Sequence, residues 1–332
     1  MRTALTILAL TAIGSAEVKD DKLVDSNWNF TYTAKDLKEG IAVQQGSIIF
    51  VGSAAEDVQI ELIVLESPKK QDGAAWRKQF MELRRKAKIQ NVEESKEGLA
   101  WVLYTQLKLE VFNEHHGYAF YPRGHRCMVV HAYMADKSDT SGKRIKECLK
   151  GFQWGEGDGI SLREYLYASR NGLDLNDPGV TLIGGQSYLD PSASIPPIAV
   201  QVLTRALENA KPNTYSEVET FDLYHSLGFA FLVHEESRDT KKSIEWFTKA
   251  EEAAQQVPAE QRVDRQASAA YNLACAYALD GQVDKAFVAL DRAFADKLVV
   301  SKEHLSKDPD LNSLRKDQAR WDKFWKERVA DR

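Results

Sequence analysis

Four of the chain's seven histidines fall close together, as His115, His116, His125 and His131. Imidazole ligates metals and changes charge near neutral pH, so such a cluster is the first place to look for chemistry. On an extended strand, residues at even separations share a side, and His125, Cys127 and His131 meet that condition. Zinc needs four ligands, or three plus water, and no short paired ligand spacing accompanies this set. The plainer reading is a group of histidines belonging to a sheet and its hairpin.

Other near-motifs each fail at a named residue. Ser141-Gly142-Lys143-Arg144 has the Gly-Lys of a phosphate loop, but Lys137 replaces the earlier glycine and Arg144 the hydroxyl. His234-Glu235 opens like a zinc-protease helix, yet Arg238 stands at the second ligand position. No glycine-flanked serine elbow occurs. Glu156 and Asp158 are paired carboxylates in a glycine-rich stretch, where solvated charge is the expectation. No nucleophile, base and orienting group assemble, so neither an enzyme nor a cofactor is expected, and no metal site is assigned. Two alternatives stay open: a metal-binding protein or enzyme with its site in the sheet, and a small-molecule-binding sandwich.

Composition narrows the class further. A chain of 332 residues has room for two domains with separate cores. A net charge of −5 argues against nucleic acid as a partner, because such binders usually present a clustered basic face. Three cysteines, Cys127, Cys148 and Cys275, give no disulfide framework. Cys127 and Cys148 could pair with one another, but buried thiols are expected. At the N-terminus, Arg2, the apolar run Ala4 to Ile13 and Gly14-Ser15-Ala16 read as a cleaved signal peptide over residues 1–16. That run is too short to span a bilayer, which takes about 20 apolar residues in a helix. No other run is long enough, so no integral membrane segment is expected after cleavage. A secreted or periplasmic bacterial protein is the implied location.

The elements that must position these residues change character along the chain. Val58, Ile60, Leu62 and Val64 alternate as on one face of a strand. Leu99, Trp101, Leu103, Leu107, Leu109 and Val111 do the same, with Tyr104, Gln106, Lys108 and Glu110 opposite. Tyr118 to Tyr121, a turn at Pro122-Arg123-Gly124, and Arg126 to Met134 predict a hairpin. Trp76, Phe80, Leu83 and Ala87 predict one helix; Ile145, Cys148, Leu149 and Phe152 predict another, capped by residues 138–141. The fold class is therefore an α+β N-terminal domain with an antiparallel sheet over 28–154. Its element order is similar to the PsbP/Mog1-like α/β/α sandwich, whose members bind quite different partners, so the resemblance implies a fold and no function. Three glycines at 155–159 predict a flexible linker.

Residues 160–300 switch to helical spacing. Ala270 to Ala293 places Leu273, Ala274 and Tyr277, then Gly281, then Ala286, Leu290 and Ala293, as two helices joined by a tight turn. This stretch resembles the tetratricopeptide repeat (TPR), in which small residues let paired helices approach. Ala199, Leu203 and Ala206, and Ser243, Phe247 and Ala250, repeat the second-helix spacing. Leu227-Gly228 with Phe231, and more faintly Gly185 with Tyr188, repeat the first. The copies are 44 and 43 residues apart, which predicts long connections such as Gln255 to Arg265. The fold class for this half is an all-α, TPR-like superhelical array, closed by a helical cap over 301–332 built on Leu305, Leu311, Leu314, Trp321 and Phe324.

The TPR resemblance implies a protein or peptide partner held in a groove lined by first-helix residues. Here those would be Tyr271, Asn272 and Cys275 in the last copy, and His225, Ser226 and Phe229 in the middle one. A groove that clamps a C-terminal carboxylate uses lysine and asparagine, and only Asn272 fits that pattern. The expected function is a non-catalytic adaptor of the bacterial envelope.

Overall fold

The computed structural model describes residues 16–39, 47–55, 58–83, 89–108, 112–135, 141–235, 238–295 and 301–330. The expected signal segment lies outside them except for Ala16, which opens a strand. The chain divides into two compact units, Met1–Leu175 and Asn176–Arg332.

The first unit holds two antiparallel sheets. Strands β1 (Ala16–Lys19), β2 (Lys22–Asp25) and β3 (Phe30–Thr33) open a four-stranded sheet that β11 (Phe152–Trp154) completes, in the order β1-β2-β3-β11. The other sheet comprises β4 (Lys38–Glu39), β5 (Ile48–Ala54), β6 (Val58–Glu66), β7 (Ile89–Glu94), β8 (Ala100–Lys108), β9 (Phe112–Arg123) and β10 (Arg126–Ala135). Its order is β4-β5-β6-β10-β9-β8-β7. Val58, Ile60, Leu62 and Val64 are fully buried on one face of β6, as their alternation requires. The β9–β10 hairpin pairs Arg123 with Arg126 around the expected turn.

The central strands of the large sheet are covered on both faces. Helix α1 (Gly73–Leu83) packs on β8 and β9, with Phe80 against Tyr118 at 4.3 Å between ring centres. Helix α2 (Ser141–Cys148) packs on the other face, where Ile145 and Leu149 fill the space that a side chain at Gly117 would take. Val102, Leu103, Tyr104 and Thr105 are consequently all buried. Helix α2 stops at Cys148, and Phe152 belongs to β11 instead. Leu83, expected in the core, is 79% exposed. Residues 138–140, Ala87, Leu109 and Val111 fall outside the described residues.

The expected linker is also corrected. Gly155 and Ile160 donate backbone N–H bonds to Asn29 and Asn27 at 2.7 and 2.8 Å, and Arg126 Nη1 donates to the carbonyls of Asp158 and Ile160. Residues 155–159 are thus stitched onto the first unit. Helix α3 (Leu162–Asn171) follows within that unit, started by a Ser161–Glu164 capping box. The division between units comes after Leu175 instead. At the other end, β1 and β2 extend the unit upstream of residue 28.

The second unit is helical. Its elements are α4 (Pro178–Ser187), α5 (Pro196–Asn209), α6 (Glu217–Val233), α7 (Thr240–Ala254), α8 (Ala259–Leu279), α9 (Val283–Ala295), α10 (Lys302–Lys307), α11 (Asn312–Lys316) and α12 (Gln318–Arg328). Pairs α4/α5, α6/α7 and α8/α9 each pack through small residues. A Cβ at Gly185 would lie 2.6 Å from Leu203, and one at Gly228 would lie 2.7 Å from Phe247. Only glycine permits those approaches. Between Ala250 and Ala293, α8 begins at Ala259, so most of the expected connection from Gln255 to Arg265 is helix. Leu305, Leu311, Leu314, Trp321, Phe324 and Val329 close the core formed by α8 and α9. Among the described residues, no helix is long and apolar enough to cross a membrane.

Candidate functional site

A cavity of about 560 Å³ opens on the second unit, lined by residues of α4, α6 and α8. Ile183, Gln186 and Ser187 come from α4, and Leu189 and Asp190 follow it. His225, Ser226 and Phe229 come from α6, and Asn272 from α8. Ile183, Ser226 and Asn272 each stand two residues before Gly185, Gly228 and Ala274, the small seam residues of their helices. One position of three successive helix pairs therefore converges on one cavity.

Its floor is tied together by side chains. Gln186 Nε2 donates to Ser226 Oγ at 3.2 Å, joining α4 to α6. His225 Nε2 lies 2.8 Å from Asn272 Nδ2 and 3.2 Å from Ser268 Oγ, joining α6 to α8. Burial, with the nearby Arg265 charge adding to it, pushes the His225 imidazole down to about 4. The ring is neutral at pH 7, so Nε2 can accept from both neighbours. Phe221 stacks on the ring at 5.3 Å and Phe247 meets it at a steep angle. Ile183, 40% exposed, with Leu189 and Phe229 supplies the apolar wall, Asp190 is the carboxylate, and no lysine or arginine is among the described lining residues.

His225, Ser226, Phe229 and Asn272, expected in a groove, all reach this cavity. Tyr271 and Cys275 do not. The Tyr271 hydroxyl donates to Asp308 Oδ2 at 2.6 Å, and Cys275 Sγ lies 3.8 Å from the same oxygen. Burial raises the proton affinity of both groups, and the Asp308 charge adds to it. They turn under the C-terminal cap because Asp308 offers a buried acceptor there. Cys275, Asp308 and Asp310 are the one set among the described residues with three donor atoms within 4.8 Å. Asp308 also accepts from Asp310 N, so hydrogen bonds account for this knot. The α4 residues were missed in sequence because the first copy is faint. The 43-residue offset from Gly228 to Gly185 would have mapped Ser226 onto Ile183 and Phe229 onto Gln186.

In the sheet unit, His125, Cys127 and His131 are not brought together. His125 Nδ1 lies 3.1 Å from the Ser67 carbonyl, and Cys127 is buried among α1-side residues, with burial pushing its thiol up to about 12. Cys127 and Cys148 are both free and buried. His131 meets His116 and Glu61 instead, and His115 meets Thr105.

No family model and no curated protein matches the chain. A solved crystal structure from Bacteroides thetaiotaomicron VPI-5482 is similar at a TM-score of 0.31, with 8% identity, covering 64% of this chain and 77% of that one.

Proposed function

We propose that the chain is a non-catalytic adaptor whose helical unit, read as a TPR-like array, holds a short protein segment in the α4–α6–α8 cavity. The observation that carries this is the convergence of Ile183, Ser226 and Asn272, equivalent positions of three pairs, on one opening. Apolar walls beside a few polar groups are the usual make-up of a binding site. With Asp190 and no cation among the described lining residues, the favoured segment carries an apolar side chain next to lysine or arginine. A carboxylate-terminated partner would meet no counter-charge. The signal-like start supports action in a bacterial envelope or outside the cell.

A peptide array probed with the labelled full chain tests this reading. Segments combining apolar and basic residues should bind, and Ile183→Glu, on an exposed position, should abolish binding with an unchanged melting curve. Binding that survives this substitution, or no binding at all, would remove the groove from consideration.

A further inference from the structure

We propose, resting on the reading of the α4–α6–α8 cavity as a segment-binding site, that its floor selects arginine over lysine through the Asn272 and Gln186 amides, which His225 and Ser226 hold in place. A carboxamide has a donor end and an acceptor end, and the end it offers a ligand depends on what occupies the other. In both amides the nitrogen is occupied. Asn272 Nδ2 lies 2.8 Å from His225 Nε2, and Gln186 Nε2 donates to Ser226 Oγ at 3.2 Å.

His225 sets the first amide. With the ring neutral and Nε2 accepting, its one hydrogen is on Nδ1. The bare Nε2 attracts the Asn272 N–H and would repel the amide oxygen. Ser268 Oγ, 3.2 Å from the same nitrogen, donates to it as well. Ser226 sets the second amide. Two adjacent residues of α6 thereby orient an amide of α8 and an amide of α4.

The oxygens are what remains for a ligand. Among the described residues neither Asn272 Oδ1 nor Gln186 Oε1 accepts a hydrogen bond, and neither is closed off from solvent. Both residues line the cavity, so both oxygens serve it as acceptors. Asp190 adds a carboxylate, steadied by Ser192, whose N and Oγ donate to Oδ1 at 2.8 and 2.6 Å.

This combination fits a guanidinium. The acceptors come from α4, from α8 and from the residue pair after α4, with Ile183, Leu189 and Phe229 as the apolar wall. A guanidinium is planar, carries five N–H donors around its edge and is weakly hydrated. Its edge can meet separated acceptors while its faces lie on apolar or aromatic side chains. An ammonium concentrates its donors and a tightly held hydration shell at one point. It reaches fewer of these oxygens and loses more hydration beside the wall. A carboxylate would be repelled by the same oxygens. Arg265, whose charge reaches His225, is matched by Asp222 at 3.7 Å and lies over the Phe221 ring.

Titration of the full chain against an array of labelled, capped peptides tests the selection. Each peptide carries arginine, lysine or citrulline between two residues drawn from isoleucine, leucine, valine and phenylalanine. The arginine set should bind about tenfold more tightly than the lysine set, the factor expected for one lost hydrogen bond to a charged group. Citrulline, similar in shape but uncharged, should also bind more weakly than arginine. Lysine binding as tightly as arginine would overturn the selection and leave the segment-binding groove in place; no binding by any set would overturn both. Gln186→Leu, which removes one acceptor, should lower the arginine-to-lysine ratio. His225→Phe should lower it too, by freeing the Asn272 amide to turn. His225→Gln, whose amide oxygen can accept where Nε2 did, should restore it. A merely structural role for His225 would weaken both sets alike, and that unchanged ratio would overturn its part in the selection.

Discussion

The Nε2 atom of His225 lies 2.8 Å from the Asn272 amide nitrogen, and this contact bridges α6 and α8 in the floor of the cavity. Ser268 approaches the same ring nitrogen from one turn earlier on α8. The cavity's shape therefore depends on a histidine that stays neutral. Removing both donors, as Ser268→Ala with Asn272→Ala, would leave that nitrogen unsatisfied. A cost of about 1–3 kcal/mol is expected. A thermal melt should show it as a fall of several degrees.

Acid should act on the same contact. The His225 imidazole is held down to about 4 by burial and by Arg265, against about 6.5 in an unfolded chain. Between those values the unfolded state binds a proton that the folded state refuses. Stability is thus fully present above about pH 6.5 and falls as pH drops toward 4. A urea series across that window should show the loss, of about 1–3 kcal/mol from this residue. His225→Gln should flatten that part of the profile; an unchanged slope would contradict the assignment.

Seam glycines should resist substitution where a generic helical glycine does not. Gly228→Ala gains about 1 kcal/mol of helix propensity but drives a Cβ to within 2.7 Å of the fully buried Phe247 ring. Overpacking of about 1–3 kcal/mol should win, so the variant melts lower. Gly142→Ala meets nothing within 4 Å and should be neutral or slightly stabilising. Comparing the two melts separates sterics from propensity.

Arg126 should be critical to the first unit. Its guanidinium is buried beside Glu66, with Nε 3.5 Å from Oε1, and Nη1 holds two carbonyls of the 155–160 segment. Arg126→Met would strand the Glu66 carboxylate, at a cost of about 3–5 kcal/mol. Limited proteolysis should then cut near Gly157 faster than in the unsubstituted chain.

Periodicity revealed the buried stripe of β6, the hairpin and the α8/α9 pair, because each burial pattern is written in consecutive residues. Four residues that line the cavity could be picked out for the same reason, through their offset from the seam. What escaped depends on contacts distant in sequence. Tyr271 and Cys275 lie away from the cavity because Asp308, some 35 positions on, offers an acceptor. The glycine run looked like a loose tether because nothing nearby reveals Asn27, Asn29 and Arg126 holding it. His131 was legible as part of a cluster, but its partner Glu61 lies 70 residues earlier and became visible only through strand pairing.

That glycine run has a practical and evolutionary consequence. A recombination event, or a gene fusion joined at Gly157, would carry α3 away from the glutamate that receives its first amide, since Leu162 N donates to Glu66 Oε1 at 3.2 Å. Both fragments would be damaged, one losing a capped helix and the other an internal counter-charge's companion segment. The seam along which the halves can be inherited or exchanged as modules lies some twenty residues further on, after Leu175.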